Sequence, residues 1–215
     1  MPDYCNVFLG RLNAYVKDNG LGTGVNVGEK ATIASQTVVR ELTAGRSVPT
    51  KQIAASLRSG DQVAKLAGVD VFTMPTKVAQ EARETLQPDF ASQVATSYEV
   101  ELNPDVTESE VHIEKLWDVD ETVRAFAESL DENTPQSGEE LAARARDMGL
   151  GDMFPKLNSA DLEQIAADGK IPKHERWKDR IEAGELAVDT LLNLAGLASF
   201  TQDQKALDDR IAGLI

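Results

Sequence analysis

With 215 residues, of which 41% are apolar, the chain is long enough to bury a hydrophobic core of one domain, or of one domain with an appendage. Its formal net charge of −14 argues against nucleic acid as a partner, because binding a phosphate backbone requires a basic surface. No apolar stretch approaches the roughly 20 residues of a membrane span, and the N-terminus has neither the basic flank nor the apolar run of a signal peptide. We therefore expect a cytoplasmic protein without membrane contact.

Three short apolar segments in the first part of the chain predict β-strands, and helical patterns separate them. The predicted strands are Tyr4–Gly10, Lys51–Ser56 and Val69–Met74. The predicted helices cover about residues 29–44, 60–67 and 75–86, and the first of them has Ala31, Ala34, Val38 and Leu42 on one face. Strands that alternate with helices at this spacing indicate parallel βαβ units.

The second part of the chain has a different character. Residues 89–130 hold eleven acidic residues against two basic ones, which is typical of a solvated surface. Tyr98–Leu102 alternates like an exposed or edge strand, whereas Glu175–Phe200 has the pattern of one long helix. Thr201 with Gln204 predicts a capping box for one more helix. We divide the chain into residues 1–130 and an all-helical extension, residues 131–215.

The most informative segment is residues 53–75, IAASLRSGDQVAKLAGVDVFTMP, with Ser56 and Arg58 at the turn after a strand. A hydroxyl, a guanidinium that holds two phosphate oxygens, and a short helix beginning at Gly60 are groups that suit a phosphate dianion. Taken alone, the residues also allow Ser56 to be a strand-end hydroxyl and Arg58 a solvated charge. Asp70 is predicted to be a turn or helix-cap residue.

This segment resembles the seventh and eighth strands of the transaldolase barrel, where the pattern is roughly A-S-F-R, a few residues, Q, then L-A-G-x-D-x-x-T-x-x-P. The run from Phe8 to Arg11, FLGR, is similar to the family's F-V-G-R at the end of strand six. The resemblance implies a partial TIM (β/α)8 barrel of about three parallel strands. It also implies that Arg11, Ser56 and Arg58 bind the phosphate of a sugar phosphate, although Leu57 stands where the family usually has Phe.

Transaldolases act in carbohydrate metabolism, in the pentose phosphate pathway. The resemblance implies transfer of a dihydroxyacetone unit between ketose and aldose phosphates through a Schiff base, without metal or organic cofactor. The family's lysine lies on strand four in a K-I-P-x-T context, and strands one to five have no counterpart in this sequence. The run from Lys170 to Lys173, KIPK, copies part of that motif but has no threonine and follows the barrel segment. We therefore expect no catalytic residue in this chain.

Three parallel strands do not close a barrel, so we expect a protein partner or self-association to cover the open sheet edges. Three alternatives remain open: the C-terminal part of a longer transaldolase, one subunit of a split barrel, or a reduced protein whose helical tail covers the exposed sheet. The alternative function is a non-catalytic phosphosugar-binding or interaction module whose helical tail is a dimerisation surface. Fructose 6-phosphate aldolases share these strands, but Arg58 favours transaldolase, since lysine is typical of the aldolases there. His112 and His174 lie far apart, so no metal site is predicted.

Overall fold

The computed structural model describes residues 2–87 and 91–214, which form two compact units that divide between Thr107 and Glu108. Among the described residues, the first unit contains these elements: β1 (Tyr4–Phe8), α1 (Leu9–Asp18), α2 (Val27–Thr43), β2 (Lys51–Ala55), α3 (Asp61–Lys65), β3 (Val71–Thr73) and α4 (Thr76–Thr85). No helix in the described ranges is long and apolar enough to cross a bilayer.

The three strands form one parallel sheet in the order β1-β2-β3, which confirms the predicted parallel arrangement in a mixed α/β structure. Helices connect the strands because parallel neighbours need a crossover. The register places Val7 beside Ala54, and Ala54 beside Phe72. Since the strands run in one direction, their carboxyl ends lie at the same edge of the sheet, where Phe8 is paired with Ala55.

Helices cover one face of this sheet. Val7, Ala54 and Phe72 pack there into the main hydrophobic cluster, with side chains from the helices and their connections: Leu9, Ile33, Leu57, Leu66, Val69 and Val78. Full burial of a leucine, isoleucine or valine side chain in this cluster stabilises the fold by about 1.5–3 kcal/mol. The opposite face is more open, since Tyr4 is 53% exposed and Asn6 is also exposed. The sheet therefore buries one face much more completely than the other.

The buried face of α2 differs from the predicted one. Ala31 is buried as expected, but Leu42 is 52% exposed, whereas Thr32 and Gln36 are fully buried. The two polar side chains are buried without an unpaired group, because the Thr32 hydroxyl donates to the Gly28 carbonyl and Gln36 bonds to Asp70. An apolar periodicity did not reveal this polar stripe.

Asp70 joins three elements of the first unit rather than capping a helix or turn. Its carboxylate accepts hydrogen bonds from the Gln36 side chain (2.8 Å), the Gln52 backbone N–H (3.0 Å) and the Arg40 guanidinium (3.0 Å). Burial alone would raise the pKa of Asp70, but the hydrogen bonds from Gln52, Gln36 and Arg40 lower it below its ordinary value. The ionised carboxylate therefore stabilises the contact of α2 with β2 and β3.

The predicted strand at Tyr98–Leu102 is wrong. This segment makes only an isolated antiparallel bridge between Leu102 and Gly22 in the loop before α2. Its other contacts with that loop are single hydrogen bonds, such as Asn26 Nδ2 to the Glu99 carbonyl and the Thr23 N–H to the Glu101 carbonyl. The glycine-rich loop beside this segment is not an extended strand, so residues 98–102 form no β-ladder with it.

The second unit is helical among its described residues. It contains a 3-10 helix (Ile113–Leu116), α5 (Glu121–Glu132), α6 (Gly138–Asp147), α7 (Ser159–Asp168), α8 (His174–Glu182) and α9 (Val188–Ala212). Phe126 of α5 and Ala145 of α6 pack with Leu150 in a second hydrophobic cluster. Ser137 caps α6 by accepting a hydrogen bond from the Glu140 N–H.

The predicted long helix at Glu175–Phe200 is also wrong, because the chain forms two helices there. Gly184 adopts a left-handed φ of +67°, which ends α8 as glycine commonly does. The next helix, α9, then continues through Thr201 without a cap. The Thr201 hydroxyl donates back to the Leu197 carbonyl, a bond that is compatible with an uninterrupted helix.

Asp70→Asn is expected to destabilise the first unit at pH 7 by roughly 1–3 kcal/mol. The introduced side-chain amide has one acceptor oxygen, so it cannot accept the hydrogen bonds from Gln36, Gln52 and Arg40 together. The pKa of Asp70 is lowered by folding, so its stabilisation is present above the unfolded pKa and is lost as the pH falls through the folded pKa. Urea unfolding of the wild type and the variant, at pH 7 and below pH ~4, measures the difference between their free energies of unfolding.

The difference between wild type and variant should shrink at the lower pH, and a constant difference would contradict the assignment. Asp105→Asn is the matched control, because Asp105 is exposed. That control should change stability by less than about 0.5 kcal/mol at either pH.

Candidate functional site

The predicted site residue Arg11 lies in the first turn of a helix rather than at the end of a strand. β1 ends at Phe8, two residues earlier than predicted, and α1 begins at Leu9. The guanidinium carbon of Arg11 lies 4.8 Å from the centre of the Phe8 ring, a cation–π contact that keeps the side chain close to the strand end.

Ser56 follows β2 directly and has a left-handed backbone, with φ at +65°. This conformation costs a residue with a Cβ atom about 1–2 kcal/mol, so most turns of this kind use glycine. Non-glycine residues in this region of φ/ψ space are concentrated at functional sites, where surrounding contacts hold them. The conformation sets the direction of the chain into Leu57 and Arg58.

A contact of Gly10 brings the predicted residues together. A Cβ atom on Gly10 would lie 2.2 Å from the Ser56 carbonyl oxygen, 2.9 Å from Arg58 Nε and 3.1 Å from Ser56 Oγ. The first turn of α1 therefore touches the residues after β2 so closely that only glycine fits. Since Arg11 follows Gly10, all of these residues lie at the carboxyl edge of the sheet. We call Gly10, Arg11, Ser56 and Arg58 the strand-end site.

The electrostatics of the strand-end site favour an anion. Burial lowers the pKa of Arg11, and the positive charge of Arg58 lowers it further. Within residues 2–87 and 91–214, no carboxylate lies within ion-pair distance of the exposed Arg58 guanidinium. Two guanidiniums that repel each other are stabilised together by a dianion, and each can donate in a bidentate way to its oxygens.

A buried polar network holds the turn that carries Arg58. Gln62 Oε1 accepts from the backbone N–H groups of Arg58 (2.7 Å) and Ser59 (3.3 Å), and Gln62 Nε2 donates to Glu29 Oε1 (2.8 Å). The other Glu29 oxygen accepts from Asn13 Nδ2 at 3.1 Å. Glu29 and Gln62 are 2% and 5% exposed, so these bonds link α1, α2 and α3 inside the unit.

This network has two consequences for the predicted site. The short helix α3 has only five residues, and the amides just before it already donate to Gln62, so the groups that this turn can offer a ligand are its side chains rather than a helix N-terminus. No pattern in the sequence points to Asn13 or Glu29, because an isolated polar residue looks like part of a solvated surface. Only the burial of Glu29 against Gln62, and the bond from Asn13 to Glu29, show that they support the turn.

The KIPK run at residues 170–173 lies between α7 and α8, and both of its lysines are exposed. The Lys173 backbone N–H donates to Asp168, whose carboxylate also accepts from Trp177 Nε1 and is itself fully buried. These bonds connect the end of α7 to the beginning of α8. The run thus serves as a helix connection of the second unit.

The histidines offer no metal site. In the ranges that the structure describes, no group of three or more His, Cys, Asp and Glu side chains is arranged to hold a metal ion. His174 is 5% exposed, and burial lowers its pKa below the ordinary value. A buried neutral imidazole is consistent with a packing role.

Among the cavities that described residues line, one lies elsewhere in each unit. A shallow pocket of about 180 Å³ beside the network is lined by Glu29, Asp61 and Lys65 among others. The cavity of the second unit, about 340 Å³, has several acidic residues in its wall. One of these is Asp189, and burial raises the pKa of its carboxyl group. An acidic wall repels phosphate, so neither cavity competes with the strand-end site for such a ligand.

Comparison with known proteins identifies a family. The family model described as transaldolase/fructose-6-phosphate aldolase matches residues 2–136, which include β1 to β3 and the whole strand-end site. No curated protein matches the chain, and no solved structure does.

Exchanging the polar groups of Glu29 and Gln62 tests whether the network acts as one unit. Gln62→Glu alone places two carboxylates in buried contact, and Glu29→Gln alone sets an amide donor against Asn13 Nδ2. Each single change is expected to cost roughly 1–3 kcal/mol. In the double variant the introduced amide at position 29 donates to the introduced carboxylate at position 62, which still accepts from Arg58 and Ser59.

The double variant should therefore recover most of the stability lost in the single variants, measured by urea unfolding. The free energy of unfolding that the double variant recovers is the coupling energy between the two residues, and independent sites show no such energy. A double variant that loses the sum of the two single effects would contradict the network.

The left-handed backbone of Ser56 makes Ser56→Gly and Ser56→Ala a matched pair. Both remove the hydroxyl, so both should weaken the binding of inorganic phosphate by roughly tenfold. Only glycine relieves the backbone, so Ser56→Gly should be about 1 kcal/mol more stable than Ser56→Ala in thermal or urea unfolding. An alanine variant that is the more stable of the two would contradict the assigned φ.

Proposed function

The chain belongs to the transaldolase/fructose-6-phosphate aldolase family, and we propose that its first unit binds the phosphate group of a sugar phosphate at the strand-end site. Arg11 and Arg58 supply the two guanidiniums, and Ser56 supplies a hydroxyl. The contact of Gly10 with Ser56 and Arg58 is the observation that carries this proposal. It brings residues from two neighbouring strand ends into one place, as a phosphate site at the carboxyl edge of parallel strands requires.

We propose that β1, β2 and β3 correspond to strands six to eight of a (β/α)8 barrel. Their parallel order supports this, and so do the helices that cover one face of the sheet. In a closed barrel the other face of each strand points into the interior, and here that face carries the exposed Tyr4 and Asn6. A protein partner or a second copy that covers the open sheet edges belongs to the same proposal.

The family reaction is a transaldolase-like transfer of a dihydroxyacetone unit from a ketose phosphate to an aldose phosphate. A Schiff-base lysine must be desolvated near the carbonyl carbon, and the strand-end site would hold the distant phosphate so that the carbonyl is presented to that amine. Of the described strands, only β2 contains a lysine, Lys51, and it is the first residue of the strand, at the opposite edge from Ser56.

The position of Lys51 favours a second candidate function. A chain that binds the phosphate but places no amine beside the carbonyl is a non-catalytic phosphosugar-binding module, or one subunit of a split barrel whose other subunit supplies the lysine. Both candidates share the strand-end site and differ in turnover. The domain boundary at residue 130 and the cytoplasmic location remain predictions.

Arg58→Ala is expected to weaken the binding of inorganic phosphate and of fructose 6-phosphate by roughly tenfold to a hundredfold, because it removes a charge-assisted contact. Isothermal titration of the full chain measures this affinity. Arg83→Ala is the matched control, since Arg83 is exposed on α4, and it should leave the affinity unchanged. Equal affinities of wild type and Arg58→Ala, with both proteins folded, would sink the phosphate assignment.

Borohydride reduction in the presence of fructose 6-phosphate separates the two candidate functions. A Schiff base between the sugar carbonyl and a lysine becomes a stable amine on reduction, which mass spectrometry detects as a covalent adduct. We expect phosphate-dependent binding without an adduct on this chain alone. An adduct on one of its lysines would show that the chain is catalytically complete.

A further inference from the structure

The second half of α9 extends beyond the packed part of its unit. Its first half is buried at Val188, Leu191, Leu192 and Ala195, whereas every residue from 200 to 214 is exposed. Exposed apolar side chains recur from Leu197 onwards: Leu197 is 63% exposed, Leu207 52% and Ile211 47%. Exposed apolar side chains in a contiguous row mark a surface that another molecule covers.

These side chains follow a heptad spacing. Leu197, Gln204 and Ile211 occupy every seventh position, and Phe200 and Leu207 fall three residues after the first two of them. Positions a and d of a coiled coil have this spacing. We call these five residues the α9 stripe, with Leu197, Gln204 and Ile211 at a and Phe200 and Leu207 at d. Leu214, 81% exposed, continues the spacing just after the helix ends.

The α9 stripe and the buried half of the helix use different faces. Each residue turns a helix by about 100°, which places Leu197, Leu207 and Ile211 well over a quarter of a turn from the line through Val188, Leu191 and Ala195. The helix can therefore keep its packing in the second unit while a different molecule covers the stripe. The exposed a and d positions form the surface through which a helix pairs with a partner in a coiled coil.

We propose that the α9 stripe pairs with the same stripe of a second copy of this chain in an antiparallel coiled coil. Placing the two-fold axis between Lys205 and Ala206 sets Leu207 against Gln204 of the second copy, and Phe200 against Ile211 of the second copy. The same axis sets Leu197 against Leu214 of the second copy, so every layer of the seam contains at least one apolar side chain. Gln204 is the one polar a-position residue of the stripe, and such a residue commonly fixes the register of a coiled coil.

The charges beside the stripe select the antiparallel direction. Asp203 and Arg210 occupy the g positions, which flank the a/d seam, and neither has an ion-pair partner within the described part of the chain. Antiparallel helices bring g positions next to g positions, so Asp203 of each copy lies near Arg210 of the other. A parallel pair would instead set Asp203 against Asp208 of the second copy, because g positions then face e positions.

The same charges disfavour a lipid surface as the occupant. Membrane-surface helices carry Lys and Arg on the polar face, whereas this part of α9 carries Asp203, Asp208 and Asp209. The paired segment from Leu197 to Ile211 is about 21 Å long. An interface of this length is at the small end of specific interfaces, on the order of 1,000 Å², so we expect a dissociation constant in the micromolar range.

Sedimentation equilibrium of the full chain tests the proposal. The wild type should be a concentration-dependent dimer, and Leu207→Asp should be monomeric across the same range. Leu162→Asp is the matched control, because Leu162 is a 53% exposed leucine on α7 outside the stripe, and it should dimerise like the wild type. Circular dichroism establishes that each variant keeps its helices.

A charge exchange tests the direction independently of helix stability. In the proposed dimer, position 203 of each copy lies near position 210 of the other. Asp203→Arg or Arg210→Asp alone places like charges at both of these contacts and should weaken the dimer by roughly fivefold to tenfold. The double variant restores both contacts with reversed signs and should dimerise within about twofold of the wild type.

Three results would overturn the proposal. A wild type that stays monomeric at several hundred micromolar would remove it, as would a dimer that Leu207→Asp does not weaken. A dimer that Asp203→Arg strengthens would show a parallel arrangement, since that change converts the contact with Asp208 into an attraction. These outcomes do not depend on phosphate binding, so they leave the strand-end site unaffected.

Discussion

A backbone contact with no room for a methyl group determines how the first unit is built. Gly10, in the first turn of α1, meets the Ser56 carbonyl after β2 at a distance that only glycine permits. Because the two strands are parallel, this contact lies at their shared carboxyl edge and brings Arg11 near Arg58. The helix connection, the left-handed turn at Ser56 and the electrostatics of the strand-end site all depend on it.

Buried polar groups help to secure the elements around that contact. Glu29 and Gln62 are buried with their hydrogen bonds satisfied, and their bonds set the turn that carries Arg58. Asp70 has a similar role between α2 and the sheet. Buried polar networks specify geometry strongly, since a displaced member leaves a partner without its bond. An anion site needs such precision because its own charges repel each other when no ligand is bound.

The two units show opposite electrostatic and packing character. The first gathers two guanidiniums at one sheet edge in a chain whose net charge is −14, so this pair of positive charges is a local exception. The second has an acidic cavity and a helix with an exposed apolar stripe flanked by charges of both signs. The proposed phosphate binding therefore uses the first unit, and the proposed self-association uses the second.

The sequence by itself determined the parallel strands, the family and the positions of the candidate phosphate ligands, because each depends on a local pattern: short apolar runs separated by helices, and a motif contained in residues 53–75. It did not determine which face of α2 is buried, since Thr32 and Gln36 become core residues only when the sheet and Asp70 supply their partners. It also did not reveal that Tyr98–Leu102 has no strand beside it, or that Gly184 divides the long helical pattern. Only the tertiary structure decided these points and showed the support of Arg58 by Gln62 and Glu29, because a hydrogen bond between residues 33 apart in sequence has no local signature.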